Sequence, residues 1–249
     1  MSRLLIVHGT GGPARTDASV RLEWITSIQD GLALAGHPAG RPDATVVNLD
    51  APGRGEPAAG SDPAAEARLL RRCWQAATFD TEPGSEPAAT AALAARLAWS
   101  RYFCGMTPDE LITTLRRTRA YAAGAPAGRR AADEVRAALT PETEIVIGHC
   151  LGGVAAAAAL AGSPPGVRAL VTLGSPHPVA ADAPAGATTW VDVTDVQDTL
   201  VLAAGADPAG VTDRVSLDCD PRLRGARNYL ASPEFGKILG SLLEATPGR

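Results

Sequence analysis

Apolar and polar positions along the chain fall into two alternating patterns. Short, nearly continuous apolar runs occur at Arg3–Val7, Thr45–Leu49, Glu144–Ile147, Arg168–Leu173, Thr188–Val193 and Arg214–Leu217. Apolar runs without a polar face suit strands covered on both sides of a parallel sheet. Helical patterning fills the intervals at Asp17–Ala35, Val154–Ala161 and Pro233–Leu243. Strands alternating with helices predict an α/β fold, with a mostly parallel sheet flanked by helices.

One segment interrupts this rhythm. From about Pro52 to Ala138 no strand pattern occurs, and helical stretches appear at Pro63–Ala77, Pro87–Tyr102, Pro108–Ala122 and Arg129–Leu139. The expectation is a single domain over residues 1–249, with residues 52–138 inserted as a helical cap. Leu111, Ile112, Leu115 and Tyr121 are expected to face either the core or a substrate tunnel. Trp74, Phe79, Trp99, Tyr102 and Phe103 supply most of the remaining aromatic surface of the insertion. They either pack in a core or line an apolar pocket.

Composition narrows the function. The chain has 249 residues, 45% of them apolar, and a net charge of −4. Neither charge nor basic–aromatic patterning suggests a nucleic-acid partner. No apolar run reaches membrane-spanning length, and the first run, Leu4 to Val7, is too short for a signal-peptide core. Cys73, Cys104, Cys150 and Cys219 are widely spaced, so free thiols and a cytoplasmic location are expected. The histidines and acids show no metal-ligand spacing, so neither a metal nor another cofactor is expected. Oligomeric state leaves no mark in the sequence.

The most specific motif is Gly148-His149-Cys150-Leu151-Gly152. It fits G-x-S-x-G with cysteine in place of serine. An apolar strand precedes it and a helix of small residues follows, as a strained nucleophile turn requires. The bland alternative is a glycine turn around an inert, buried cysteine. A thiol at a helix N-terminus is expected to have its thiolate favoured.

A second glycine-rich loop, Val7-His8-Gly9-Thr10-Gly11-Gly12, follows the first strand. Gly9 to Ala14 also fits G-x-G-x-x-A, the dinucleotide-binding pattern. That pattern wants an acidic residue about 20 positions on. Asp50, at the end of the second strand, lies roughly twice as far away, which argues against it.

Together these residues resemble the α/β-hydrolase superfamily, in a lipase/esterase-like branch common in actinobacteria. The resemblance runs through the His8 loop, the helical insertion, the Cys150 turn and Val171-Thr172-Leu173-Gly174-Ser175-Pro176. It continues through Trp190 to Leu200, where Asp195 and Asp198 match the family's acidic positions, and through Val211–Val215 to Ala226-Arg227-Asn228-Tyr229-Leu230. It implies an α/β-hydrolase fold with a helical cap. It also implies an oxyanion hole formed by the Thr10 and Leu151 amides, braced by His8, Gly9 and the turn residues Gly148, His149 and Gly152. A specialised biosynthetic pathway fits the same resemblance.

The sequence departs from the family at two places. Cys150 replaces the serine, and Ala226 stands where the catalytic histidine belongs. The chain has four histidines, and none follows His177. A thiol tolerates loss of a base better than a hydroxyl does, because it is intrinsically more nucleophilic. His177 is one candidate base, oriented by Asp195 or Asp198; the alternative is an ordinary loop histidine. Either acid, if freed from orienting an imidazole, is a candidate base provided that burial raises its pKa, or else a helix cap. His149 and His8 read as structural, and His37 as a surface residue.

Three functions remain open at this point. One is acyl transfer, cyclisation or hydrolysis of an ester, thioester or amide through Cys150, on a small-molecule or peptide substrate. Another is a non-covalent isomerase, epimerase, cyclase or lyase on the same fold. The last is a binding protein that has lost catalysis.

Overall fold

A computed structural model describes residues 3–9, 14–37, 42–52, 60–77, 89–100, 102–103, 106–122, 126–161, 166–177, 189–204, 208–219 and 225–245. Its six strands are β1 (Leu4–Gly9), β2 (Ala44–Asn48), β3 (Ile145–Cys150), β4 (Ala169–Leu173), β5 (Thr189–Asp195) and β6 (Asp213–Leu217). They form one sheet in the order β2-β1-β3-β4-β5-β6, and every ladder is parallel.

The apolar runs become strands because successive side chains enter opposite layers. Leu4 and Ile6 of β1, Ile145 and Ile147 of β3, and Val191 and Val193 of β5 point to one core. Leu5, Val7, Val146, Leu170 and Trp190 point to the other. The first layer is closed by α1 (Asp17–Leu34) and α9 (Pro233–Glu244), through Val20, Trp24, Ile28, Phe235 and Leu239. Both helices start at side-chain caps: Thr16 accepts from the Ser19 amide and Ser232 from the Phe235 amide. The second layer is closed by α5 (Pro126–Ala138) and α6 (Leu151–Leu160).

A third cluster covers the carboxyl ends of the strands. It joins α2 (Pro63–Ala76), α3 (Thr90–Leu97), α4 (Pro108–Ala122) and α7 (Thr199–Ala204) to Cys150 and Leu151. Leu111 and Leu115 face this cluster. Arg116 holds both oxygens of Glu66 at 2.7 and 3.0 Å, and Arg119 reaches Asp62 at 2.7 Å, which ties α4 to α2. The expected insertion therefore divides: α2 to α4 lie over the strand ends, while α5 packs on the sheet through Ala131, Ala132 and Val135. Two short helices, α7 and α8 (Ala226–Leu230), were not apparent in the sequence pattern. No helix among the described residues is long and apolar enough to cross a membrane.

The strand order fixes where a ligand fits. The chain passes from β1 outward to β2, then crosses to β3 on the other side of β1. Ligands of wound sheets lie beyond the carboxyl ends at such a reversal. Here that point is Gly9 beside Cys150, which pair in register.

Candidate active site

Cys150 ends β3, and α6 starts at the next residue, three positions earlier than the sequence pattern suggested. The reversal is that sharp because Cys150 adopts φ 52 and ψ −124. It is the one non-glycine residue with positive φ among those described. Such a conformation is costly for a residue with a Cβ and persists only when its surroundings enforce it. The neighbouring backbone explains the glycines. A Cβ on Gly148 would lie 2.5 Å from the Cα of Gly153, and one on Gly152 would overlap the Val7 carbonyl oxygen. Gly152→Ala is therefore expected to destabilise the fold by about 3 kcal/mol, a value at the upper end of overpacking effects. Urea denaturation monitored by circular dichroism measures this, and a change below about 0.5 kcal/mol would mean that the turn is looser than described.

The thiol is not ionised at rest. Burial pushes its pKa up to about 12; the Asp198 charge adds to the rise, and the Leu151 amide opposes it. The helix start thus favours the thiolate as expected, but desolvation outweighs it. The Leu151 N–H lies beside the sulfur, where an oxyanion donor belongs. Thr10, the expected second donor, lies outside the described residues.

No hydrogen bond or ion pair joins an imidazole to Cys150 among the described residues. His8 and His149 stack at 6.2 Å beneath the turn, both edge-on to Trp24. Burial lowers both pKa values, that of His149 to about 3, so both rings are neutral. His177 packs edge-on against Trp190 at 5.2 Å, with its Nε2 3.8 Å from Asp192 Oδ1. Burial lowers its pKa to about 4. His37 pairs with Glu244 at 3.0 Å, far along the chain from the turn. Ala226 opens α8 and is buried.

Asp198 is the acid brought to the site. It starts α7, where its Oδ1 accepts from the Leu200 and Val201 amides, each at 3.1 Å. Its Oδ2 accepts from the Tyr229 hydroxyl at 3.0 Å, and the Tyr102 phenol also favours the ionised carboxylate. Burial raises its pKa to about 6, against these hydrogen bonds. Gly174, at φ 51, makes room for the pair: a Cβ there would sit 2.5 Å from the Tyr229 hydroxyl oxygen and 3.0 Å from Asp198 Oδ2. Asp195 serves a turn instead, accepting from the Gln197 amide at 3.1 Å and the Cys219 amide at 3.5 Å. Residues 36–198, which carry the cap, the turn and Asp198, match a family described as alpha/beta hydrolase.

The chain belongs to the α/β-hydrolase family. No curated protein matches it in sequence. In this α/β hydrolase the donor to Asp198 is a phenol, contributed three residues after Ala226. Tyr229 stood out in the sequence only as part of the family-like stretch Ala226–Leu230, and Tyr102 only as an aromatic of the insertion; neither was expected beside Asp198. Among the described residues no group of three His, Cys, Asp or Glu side chains is arranged to hold a metal ion.

Proposed function

We propose that this α/β hydrolase is an acyl-group enzyme in which Cys150 attacks an ester, thioester or amide, and Asp198 is the acid–base group. The chain acts as one domain, residues 1–249, whose cap shapes the acyl site. The observation that supports this best is the strained backbone at Cys150, held by glycine contacts that leave no room for relaxation. A merely structural cysteine has no need of that conformation.

The electrostatics support a concerted reaction. Moving the proton fully from a thiol at about 12 to a carboxylate at about 6 is uphill by about 8 kcal/mol. The proton therefore leaves as the sulfur–carbon bond forms, as it does from a serine. The Leu151 amide and Thr10 amide then receive the carbonyl oxygen as it becomes anionic. With no imidazole at hand to activate water, acyl transfer or cyclisation is favoured over hydrolysis.

The test is acylation by p-nitrophenyl butyrate and by a simple alkyl thioester, read by intact and peptide mass spectrometry. The expected result is one butyryl group on Cys150, with none on Cys150→Ala and none on Cys73 or Cys219. An unmodified Cys150 under conditions where the protein stays folded would refute the reading. A second reading draws on the high thiol pKa: Asp198 acts alone as base on a bound substrate, in an isomerisation or elimination. It predicts that Cys150→Ala keeps its turnover.

A further inference from the structure

Resting on the acyl-transfer reading, we infer that Tyr229 is the positioning residue for Asp198: its hydroxyl pins Oδ2, so that the carboxylate takes the Cys150 proton on that same oxygen. The first argument counts acceptor positions. An ionised carboxylate offers about four, two on each oxygen. Both on Oδ1 are used by the Leu200 and Val201 amides, each at 3.1 Å, which is the helix cap of α7. Oδ2 accepts from the Tyr229 hydroxyl at 3.0 Å, and both side chains are buried. The cap therefore leaves Oδ2 as the oxygen that takes up a proton, and Tyr229 is bonded to that atom.

The second argument is that the phenol is fixed relative to the Cys150 turn. Its ring packs tilted against His149 at 5.9 Å, and His149 directly precedes Cys150. Its hydroxyl end rests on Gly174, where a Cβ would lie 2.5 Å from the hydroxyl oxygen and 2.8 Å from Cζ. Gly174 is held in turn by its amide, which donates to the Val193 carbonyl at 2.8 Å. The next residue, Ser175, sits against the turn itself: a Cβ on Gly153 would overlap the Ser175 hydroxyl oxygen. The segment Gly174-Ser175 thus braces the acid and the nucleophile turn at once. Close packing of this kind holds a side chain in one place.

The groups that face Asp198 keep their protons. Burial, with the Asp198 charge adding to it, pushes the Cys73 and Cys150 thiols up to about 12 and holds the Tyr102 and Tyr229 phenols well above the ordinary phenol value. Burial and Asp195 push the Cys219 thiol up to about 12 as well. Asp195 is a further charge that faces Asp198, and it accepts from the Gln197 and Cys219 amides. Tyr229 thus stays a donor across neutral pH, and a donor to the charged form of an acid favours that form. In the acylation step the Cys150 sulfur bonds to the acyl carbon, the carbonyl π pair moves to oxygen, and the thiol proton passes to Oδ2. When the carbonyl re-forms, the bond to the leaving group breaks. With p-nitrophenyl butyrate, p-nitrophenolate departs as the anion, and Asp198 later returns its proton to solvent.

The experiment measures acylation of Cys150 by p-nitrophenyl butyrate from about pH 5 to about pH 9, in wild type, Asp198→Asn, Tyr229→Phe, the double variant and a chain with fluorotyrosine at position 229. Asp198→Asn identifies the inflection that belongs to Asp198. Tyr229→Phe keeps the ring against His149 and Gly174 and removes the donor alone. Its inflection is expected to move up by about 1 to 2 pH units, the worth of a hydrogen bond to a charged group. Its rate at pH 6 should fall by roughly 5- to 50-fold with the ionised fraction. Fluorotyrosine has nearly the same shape and is a stronger donor, so its inflection should move down; it decides the question if the phenylalanine variant fails to fold. Adding Tyr229→Phe to Asp198→Asn should slow the reaction by less than about threefold, because the phenol acts through the carboxylate. An inflection that stays at the wild-type pH in the Tyr229 variants, while Cys150 is still acylated, would make the phenol merely structural and leave the acyl-transfer reading standing. Wild type that is not acylated would overturn both.

Discussion

Asp198→Asn is expected to slow the acylation of Cys150 by roughly 10²- to 10⁴-fold while leaving the protein at least as stable at pH 7. The two effects have one cause. Asp198 is fully buried at the start of α7, and burial raises its pKa from the ordinary 3.8 to about 6. Its folded-state pKa is raised, so it binds its proton more tightly when folded; the stability this gives is present below 3.8 and lost as pH rises through 6. At pH 7 the folded protein therefore holds an expensive charge, at about 3 kcal/mol. Asparagine removes the charge and still accepts the Leu200 and Val201 amides through its side-chain oxygen, as a good helix cap. What it cannot do is take a proton. The wild-type rate should rise with pH through about 6 as the carboxylate ionises, and the asparagine rate should be flat there. Stopped-flow release of p-nitrophenolate gives the rates, and thermal melts give the stability. A full-speed asparagine variant would remove Asp198 from the mechanism.

The sheet was legible because its strands are buried on both faces and therefore read as unbroken apolar runs. Each of the six lay within a few residues of its apolar run, and α1 and α9 likewise. The start of α6 is hidden in the pattern, since helical patterning begins only after Gly152-Gly153, while the backbone has already turned at Cys150. The short α7 and α8 lacked enough turns to show periodicity. Gly148, Cys150 and Gly152 announced the turn because the spacing follows from backbone clearances that only glycine satisfies. The partners of Asp198 were illegible for a different reason. A tyrosine hydroxyl that binds a carboxylate has no fixed spacing in the chain: Tyr229 reaches Asp198 from 31 positions further on. His177 illustrates the converse. Its position after β4 suggested the ligand crevice, but its ring turns back along the sheet toward Trp190 and Asp192.

Acidification is expected to weaken the fold by about 3 kcal/mol between pH 7 and pH 4.5, equivalent to a fall of roughly 10 °C in Tm for a chain of this length. The buried imidazoles are responsible. His149 is held neutral down to about pH 3 and His177 down to about pH 4, each against an ordinary 6.5. Burial lowers His8 as well. Below 6.5 the unfolded chain binds protons that these folded rings refuse, so the stability present above 6.5 is lost as pH falls. Each such ring contributes about 1.4 kcal/mol per pH unit until its folded-state pKa is reached. Asp198 works in the opposite direction, since protonation below 6 relieves its buried charge. One carboxyl offsets one imidazole, and the remaining histidines set the sign. Thermal melts in buffers of constant ionic strength from pH 7 to 4.5 measure the slope. His149→Gln should flatten it by about 1.4 kcal/mol per pH unit, because glutamine keeps the shape of a neutral polar ring without its titration. A Tm constant across this range would mean that the rings beneath the Cys150 turn take up protons in the folded state, and that the turn rests on charged imidazoles instead of neutral ones.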